Sequence, residues 1–317
     1  MTKRIAALAL LLATLMIGVP NHATAAEDCA RFAETGQSVC GIFLAYWQSH
    51  GGLAQQGFPL SGAFNERSTI DNRYYVVQYF ERAVLELHPN EPGVSSELLS
   101  QLGREALQAR YPQGAPTAAT APGAASPLPG ADTCDELAIT GQRSCGIFRT
   151  YWQEHGGLPQ QGYPLTTDFA EKSAVNGQTY QVQYFERAVF EYHPELPIGQ
   201  QVLLSQLGRL RLAARYPNGS PVIESPYLVG DQITFKANGS FLEWSIPVTN
   251  VSPNVLIAVT ITVVFYDATG QVIDSSLAAA VNIEPGETRT LKGLSIKGLN
   301  FARYRILPPD VTVRSGA

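Results

Sequence analysis

The sequence predicts a modular protein in which two small α+β modules are followed by an all-β domain of the sandwich type. Residues 29–112 align without a gap on residues 134–217, with 49 identities in 84 positions, which indicates the duplication of a complete module. After residue 217 the hydrophobic pattern changes to the alternation typical of strands, with turn residues at intervals of about ten positions. A chain of 317 residues is long enough for two or three domains.

Residues 1–26 predict a cleaved secretory signal. Lys3 and Arg4 precede an apolar run at residues 5–19, and small residues follow in an A-x-A-like pattern at residues 23–25. The run is shorter than the roughly 20 residues that span a bilayer, so cleavage is favoured over a membrane anchor. Loss of two positive charges would change the formal charge from −5 to −7. We therefore expect a secreted, extracellular or cell-surface protein with no integral membrane segment.

The cysteines form two pairs with the same spacing, Cys29 with Cys40 and Cys134 with Cys145. Four cysteines allow three connectivities, and the duplicated spacing favours one bridge within each module. Export from the cell permits disulfides. Zinc is the alternative, but ten residues between the cysteines, with no Cys-x-x-Cys pair, is a poor zinc spacing. We expect the bridges Cys29–Cys40 and Cys134–Cys145.

The first copy of the module is expected at residues 27–112. Each module is predicted to begin with a helix that has an aromatic face. The segment "CGIFLAYWQSHGG" at residues 40–52 has apolar residues at helical spacing and ends in a glycine pair that favours a left-handed stop. "GLAQQGFPL" then predicts a turn. We expect Ile42, Phe43, Trp47 and Phe80 in the core of the module.

A β-hairpin and a second helix complete the prediction for the module. "NRYYVVQYFERAVLELHP" at residues 72–89 is rich in β-branched and aromatic residues and predicts a hairpin with its turn at residues 81–83. "SELLSQLGREALQARYP" at residues 96–112 predicts a helix that ends before Pro112. Each module is therefore expected to be a disulfide-stapled helix, β-hairpin and helix, and its core is small enough for the bridge to matter.

The remaining boundaries follow from composition. Residues 113–133 are rich in Ala, Pro, Gly and Thr and predict an extended, flexible tether. The second module is expected at residues 134–217. Residues 222–317 carry alternating β-branched residues and predict an antiparallel sandwich.

Two stretches of the chain resemble known families. "QGFP" at residues 56–59 and "QGYP" at residues 161–164, each followed by "VQYFERA" and a final helix with Leu-Gly, are similar to LGFP repeats. "VVFYDATGQVI" at residues 263–273 and "IEPGE" at residues 283–287 resemble the FxLYD type of immunoglobulin-like domain. The resemblance implies non-catalytic parts, with LGFP-like modules attaching to the bacterial cell wall and an immunoglobulin-like domain serving as a surface accessory module.

Polar and aromatic residues that recur in both modules are the candidate binding residues, because sugars stack on rings and are oriented by polar groups. In the first copy they are His50, Gln55, Gln56, Tyr79, Glu81, Arg82, Glu86 and His88; in the second they are His155, Gln160, Gln161, Tyr184, Glu186, Arg187, Glu191 and His193. Among these we expect His50, Gln55, Gln56 and Tyr79 to be available as surface contacts.

The acids allow a catalytic interpretation as well. Glu81 and Glu86, with their repeats, could be the two carboxylates of a glycan hydrolase, but an exposed hairpin turn braced by Glu–Arg pairs explains the same residues and is favoured. Glu86-x-His88 lacks the further ligands of a metal site. No P-loop, G-x-S-x-G or H-E-x-x-H motif occurs in the sequence, and we expect no cofactor and no metal.

The sequence therefore predicts a non-catalytic binding protein that attaches to cell-wall or extracellular polysaccharide through its two modules. The alternatives are an extracellular glycan-hydrolysing or wall-acting enzyme, and a surface component that binds another protein. Nucleic acid is not an expected partner, because a mildly acidic chain lacks the positive surface that phosphates require.

Overall fold

The computed structural model describes residues 28–69, 71–88, 97–116, 126–173, 176–217, 219–296 and 300–314. The predicted signal and the middle of the predicted tether lie outside these ranges. Within them, no helix combines the length and the apolar character needed to cross a bilayer.

The first module contains a bridged hairpin, two short helices, a four-stranded antiparallel sheet and a final helix. The hairpin is β1 (Cys29–Arg31) and β2 (Ser38–Cys40), and the helices α1 (Gly41–Ser49) and α2 (Gly52–Gln55) follow it. The sheet has the order β3 (Phe64–Arg67), β4 (Tyr74–Tyr79), β5 (Val84–Leu87) and β6 (Glu97–Leu99), and the final helix is α3 (Leu102–Arg110).

The second module repeats this order of elements. Its hairpin is β7 (Cys134–Leu137) and β8 (Gln142–Cys145), followed by α4 (Gly146–Glu154) and α5 (Gly157–Gln161). Its sheet is β9 (Phe169–Lys172), β10 (Thr179–Tyr184), β11 (Val189–Tyr192) and β12 (Val202–Leu204), and α6 (Leu207–Arg215) ends it.

Several expected elements are confirmed. The disulfides are Cys29–Cys40 and Cys134–Cys145, and the predicted hairpin turn lies between β4 and β5. Helix α1 ends before Gly51, whose φ of +82° lies in the left-handed region that glycine tolerates best.

Other expectations about the module were incomplete or wrong. Residues 97–99, predicted to begin the last helix, form strand β6, because their backbone pairs with β5 and Leu99 is buried opposite Leu85. The hairpin β1–β2, strand β3 and the short helix α2 were not predicted, so the module does not begin with a helix as expected. Ile42 was expected in the core but is 40% exposed, whereas Phe43 and Phe80 are buried as expected.

The two modules are not independent units. One continuous core contains Tyr79 and Leu102 of the first module together with Tyr184 and Leu207 of the second. Helix α3 packs against β10 of the second module, α6 packs against β4 of the first, and the two helices contact each other. The modules have in effect exchanged their final helices, a contact between the two copies that the sequence left open.

The end of the predicted tether is part of the second module. Leu128 is buried in that module's core beneath α4. The Ile147 N–H donates a hydrogen bond to the Pro129 carbonyl at 3.0 Å. Residues 126–133 are therefore packed against the second module, which shortens any free connection between the copies.

The C-terminal domain is an antiparallel sandwich, as predicted. Its strands are β13 (Ile223–Glu224), β14 (Leu228–Gly230), β15 (Thr234–Asn238), β16 (Phe241–Asn250), β17 (Leu256–Tyr266), β18 (Val272–Ile283), β19 (Thr288–Ser295), β20 (Arg303–Ile306) and β21 (Asp310–Val313). One sheet has β14, β15 and β19 paired with β16, with β13 beside β14. The other has β18, β20 and β21 paired with β17.

Trp244 lies at the centre of the sandwich core. It is fully buried, and its Nε1–H donates to the Ser276 hydroxyl at 2.9 Å, which satisfies the only polar atom of the side chain. Gly293 lies against the indole, where a Cβ would come within 2.4 Å of the ring. A single Trp therefore spans the space between the two sheets.

Candidate functional site

The predicted turn residues Glu81 and Arg82 brace the contact between the modules. Glu81 accepts hydrogen bonds from the Phe58 N–H at 3.2 Å and from Arg209 Nη2 of the second module at 2.6 Å. Arg82 donates to the Leu53 carbonyl at 3.0 Å. Both oxygens of the Glu81 carboxylate are thus held by the protein itself.

The equivalent glutamate of the second module makes the same contacts, with an arginine of the first module. Glu186 accepts hydrogen bonds from the Tyr163 N–H at 3.2 Å and from Arg104 Nη2 of the first module at 2.6 Å. Arg187 donates to the Leu158 carbonyl at 3.1 Å. The hairpin glutamates do form ion pairs with arginine, as the sequence favoured. The arginine of each pair, however, comes from the other copy.

The four predicted glutamines lie inside the protein, where the modules meet. Gln161 donates to the side-chain oxygen of Gln55 at 2.8 Å, Gln55 donates to the Tyr151 hydroxyl at 2.8 Å, and the Tyr46 hydroxyl donates to Gln160 at 3.2 Å. All four glutamine side chains are buried. The expectation that Gln55 and Gln56 are surface contacts is therefore wrong.

A cavity of about 10 Å³ lies among these glutamines. That volume has room for about one water molecule. Gln56 donates to the His50 carbonyl at 3.1 Å, and Gln161 donates to the His155 carbonyl at the same distance. The amide cluster therefore ties the ends of α1 and α4 to the interface and offers no space for a larger ligand.

The histidines that end α1 and α4 lie at the surface. His50 is exposed and its ring stacks on Tyr46 with 3.9 Å between the ring centroids; His155, half-buried, stacks on Tyr151 at the same distance. The Nδ1 of each lies about 3 Å from the carbonyl of the tyrosine on which it stacks. These two rings are repeated and reachable from solvent.

Tyr79 and Tyr184 are buried, so the expected surface role of Tyr79 is wrong. Their hydroxyls donate to Glu66 at 2.6 Å and to Glu171 at 2.9 Å. Burial, followed by the charge of the neighbouring carboxylate, raises the pKa of both phenols well above the ordinary value. Both tyrosines remain hydrogen-bond donors at any physiological pH.

Glu66 and Glu171 are buried carboxylates that the sequence analysis missed. Glu66 accepts a hydrogen bond from the Tyr216 hydroxyl at 2.8 Å and pairs with Arg211 and Arg215. These partners come from the helix of the other module. The signal was present, because Glu66 recurs as an acid two residues after a core phenylalanine, on the inward face of its strand.

Glu171 has the equivalent partners in the first module. The Tyr111 hydroxyl donates to it at 2.6 Å, and Arg110 Nε lies 3.3 Å away. Burial and the hydrogen bond to Glu171 raise the pKa of Tyr111 to about 12. Each buried carboxylate thus forms an ion pair with arginine and accepts a hydrogen bond from a tyrosine, and the other copy supplies these residues.

Glu86 and His88 form a separate pair on β5. Glu86 accepts hydrogen bonds from the Ser100 hydroxyl and from His88 Nε2, the latter at 3.1 Å, and the His88 ring stacks on Tyr75. Across the described ranges, no group of three or more His, Cys, Asp or Glu side chains could hold a metal ion. Glu86 therefore pairs with Ser100 and His88 rather than with Glu81.

The second copy of this pair carries an additional acid. His193 Nε2 lies 3.4 Å from Glu191, and its Nδ1 lies 2.9 Å from Glu195. Burial disfavours the charged ring, but the two carboxylates outweigh it and raise the pKa of His193 above the ordinary histidine value. The first copy has Asn90 at the position of Glu195.

A cleft of about 410 Å³ separates the first module from the C-terminal sandwich, and the sequence analysis did not predict it. The first module contributes residues of β3 and β4 to its walls. The sandwich contributes the turn between β13 and β14 and the residues around the start of β21. The lining residues are Asn65, Tyr74, Glu224, Ser225, Pro226, Tyr227, Pro308, Pro309, Asp310 and Val311.

Glu224 connects this cleft to strand β3 of the first module and to the end of helix α6 of the second. Its carboxylate accepts a hydrogen bond from the Arg67 N–H at 3.3 Å and lies 3.6 Å from Arg215. The Tyr216 hydroxyl lies 2.6 Å away and shares its single proton between Glu224 and Glu66. Strand β13 also contacts β3. The two sides of the cleft are therefore joined by hydrogen bonds to a charged carboxylate.

The chain matches no protein-family model and shows no significant match to a curated protein. The resemblance of the modules to LGFP repeats, and of the sandwich to FxLYD domains, stays a prediction.

Proposed function

We propose that the chain is a non-catalytic, secreted or cell-surface binding protein that attaches to envelope glycan or another surface polymer. The observation that carries this proposal is the state of the repeated acids. Glu81, Glu86, Glu186 and Glu191 all pair with groups of the protein itself. The residues that suggested catalysis are therefore used to hold the modules together and to orient a histidine.

A glycan hydrolase needs one carboxyl group to donate a proton and another to act on the sugar or on water. Glu81 forms an ion pair with Arg209, with 2.6 Å between Oε1 and Nη2. Both Glu81 oxygens already accept hydrogen bonds from the protein. This arrangement occupies the carboxylate and supports a structural role for it.

Two equivalent surfaces on one body support binding. The exchanged helices α3 and α6 hold the modules together through a common core, so that His50 and His155 keep a constant separation. Two weak contacts at a constant separation give avidity when the ligand repeats. A rigid body also loses less conformational freedom on binding than two tethered modules would.

The disulfides and the resemblances point in the same direction. A bridge in each module suits an oxidising compartment outside the cytosol. Similarity to LGFP repeats and to FxLYD domains implies attachment and accessory roles at a bacterial surface.

The test is co-sedimentation of the chain without its predicted signal, residues 27–317, with insoluble envelope polysaccharide. We expect retention in the pellet, a partial loss for His50→Ala or His155→Ala, and a larger loss for the double variant. Gln48→Ala with Gln153→Ala is the matched control, because both residues are exposed on the same two helices. A chain that stays in the supernatant with every polysaccharide preparation contradicts the proposal.

The enzyme alternative is tested on the same material. Release of reducing ends is compared between the unmodified chain and the double variant Glu86→Gln, Glu191→Gln. Equal background release removes the catalytic alternative, and release that depends on these acids overturns the proposal. Capture of one envelope protein, with no retention on purified polysaccharide, would favour the protein-binding alternative.

A further inference from the structure

We propose that the cleft between the first module and the C-terminal sandwich binds a short segment of neutral saccharide. This inference rests on the proposed function and deepens it, because it names a site and a ligand class. The cleft volume of about 410 Å³ lies within the roughly 300–1,000 Å³ typical of small-molecule sites, and such sites occur preferentially between domains.

The apolar walls suit a sugar ring. Its lining includes the ring of Tyr74 from the first module, and Pro226, Tyr227, Pro308 and Pro309 from the sandwich. Tyr227 is 39% exposed although it is a large aromatic side chain. The C–H faces of pyranose rings pack on aromatic and proline surfaces of this kind, because both are apolar and rigid.

Polar groups in the cleft are available to a ligand. Within the part of the chain that the structure describes, the hydroxyls of Tyr74 and Tyr227, the amide of Asn65 and the carboxylate of Asp310 make no side-chain hydrogen bond. Together they supply donors and acceptors, as the hydroxyl groups of a sugar require. An apolar ligand would leave these groups without partners.

The negative charge of the lining favours neutral glycans over anionic polymers. Two carboxylates, Glu224 and Asp310, line the cleft, and its lining contains no lysine or arginine. Glu224 is already paired with Arg215 and with the Tyr216 hydroxyl. Phosphate or uronate groups would meet an uncompensated carboxylate at Asp310, whereas sugar hydroxyls can donate to it.

Among the described residues, the second module does not repeat the lining that the first module contributes to this cleft. The second module has Ala170 and Thr179 at the positions of Asn65 and Tyr74. It therefore lacks both the ring and the amide that its counterpart contributes. We expect one saccharide per chain in the cleft, in contrast to the two repeated surfaces at His50 and His155.

The test is isothermal titration calorimetry of residues 27–317 with neutral tetrasaccharides of glucose, mannose and N-acetylglucosamine. We expect one site per chain for at least one of them. Loss of a stacking ring in Tyr74→Thr or Tyr227→Ala should weaken binding by about tenfold. The residue introduced at position 74 is the one that the second module carries on the equivalent strand, so the fold should tolerate it.

Thr179→Tyr is the matched control, because it places the same ring on the module that lacks the cleft; we expect unchanged affinity. Thermal unfolding of each variant shows whether its fold is intact. The inference is overturned if none of these tetrasaccharides binds, or if both ring variants bind with unchanged affinity. Tighter binding of a polyuronate or of a proline-rich peptide also overturns it.

The outcomes for the cleft and for the proposed function are distinguishable. Retention on envelope polysaccharide that survives Tyr74→Thr, together with no tetrasaccharide binding, overturns the cleft and leaves the proposed function intact. Tetrasaccharide binding that Tyr74→Thr weakens supports the cleft even where the chain is not retained on envelope material, and the absence of retention then overturns the proposed function.

Discussion

Gly103 of the first module lies so close to Phe185 of the second that a Cβ at position 103 would come within 2.0 Å of the Phe185 carbonyl oxygen. Gly208 and the Phe80 carbonyl repeat the same relationship with the same distance. Each final helix therefore touches the backbone of the other module's hairpin turn. The Leu-Gly pair recurs in both copies because any larger residue would separate the helix from that turn.

Replacement of these glycines should destabilise the protein strongly. In Gly103→Ala and in Gly208→Ala the new methyl group meets carbonyl oxygens of the backbone, which cannot move as a flexible side chain can. We expect each variant to lower the free energy of unfolding by about 3 kcal/mol. Urea denaturation followed by circular dichroism measures the loss.

Gly62→Ala is the control for these variants. A Cβ at Gly62 meets nothing within 4 Å, and we expect a change below about 0.5 kcal/mol. Equal stability of Gly62→Ala and Gly103→Ala would contradict the close approach of helix and turn.

The two buried tyrosine–carboxylate contacts should differ in energy. The Tyr216 hydroxyl lies between two carboxylates, Glu66 and Glu224, whereas the Tyr111 hydroxyl donates to Glu171 alone. Hydrogen bonds to charged groups contribute about 1.5–3 kcal/mol. The Tyr216 hydroxyl has one proton to donate, but that proton lies between two carboxylates, which repel each other more strongly once it is removed. We therefore expect Tyr216→Phe to cost about 1 kcal/mol more than Tyr111→Phe. Chemical denaturation of the two variants side by side decides this, and a larger cost for Tyr111→Phe contradicts it.

Removal of one disulfide should weaken both modules together. Each bridge closes a short loop, with a sequence separation of 11, and chain entropy gives an upper value of about 3 kcal/mol. Because the core is common to both modules, the double variant Cys134→Ser, Cys145→Ser should lower the stability of the first module as well. Hydrogen exchange of β4 and β10 amides measures this. Unchanged protection in β4 would show that the modules unfold separately.

His193 should make stability depend on pH. Its pKa is raised in the folded protein because Glu191 and Glu195 outweigh the cost of burial. Protonation therefore favours the folded state. The added stability is fully present below the unfolded pKa of about 6.5, and it is lost as the pH rises through the folded pKa.

The variant Glu195→Asn introduces the residue that the first copy has at position 90. We expect the pKa of His193 to fall in this variant, as followed by the imidazole resonances in an NMR titration. Glu136→Asn, at an exposed acid on β7, is the control and should leave the His193 titration unchanged. An unaltered pKa in Glu195→Asn contradicts the proposed pairing.

Elements that depend on neighbouring residues could be predicted from the sequence. The gapless repeat, the cysteine spacing and the glycine pair at the end of α1 were sufficient to predict the duplicated module, the two bridges and the end of the first helix. Period-two alternation was sufficient to predict the sandwich, because side chains on a strand alternate between its faces. Residues 97–99 were assigned wrongly because pairing with β5 outweighs the helical spacing of their leucines.

Which surfaces meet could not be predicted from the sequence. An amphipathic helix carries an apolar face that could pack on the sheet of its own module or on that of its copy, and the repeated sequence presents nearly the same residues at both sites. The backbone contact at Gly103, the burial of Glu66 and the position of the glutamines all follow from the exchanged helices. The cleft at Tyr74 likewise depends on where the sandwich lies against the first module. Such contacts join residues far apart in the chain, and local periodicity carries no information about them.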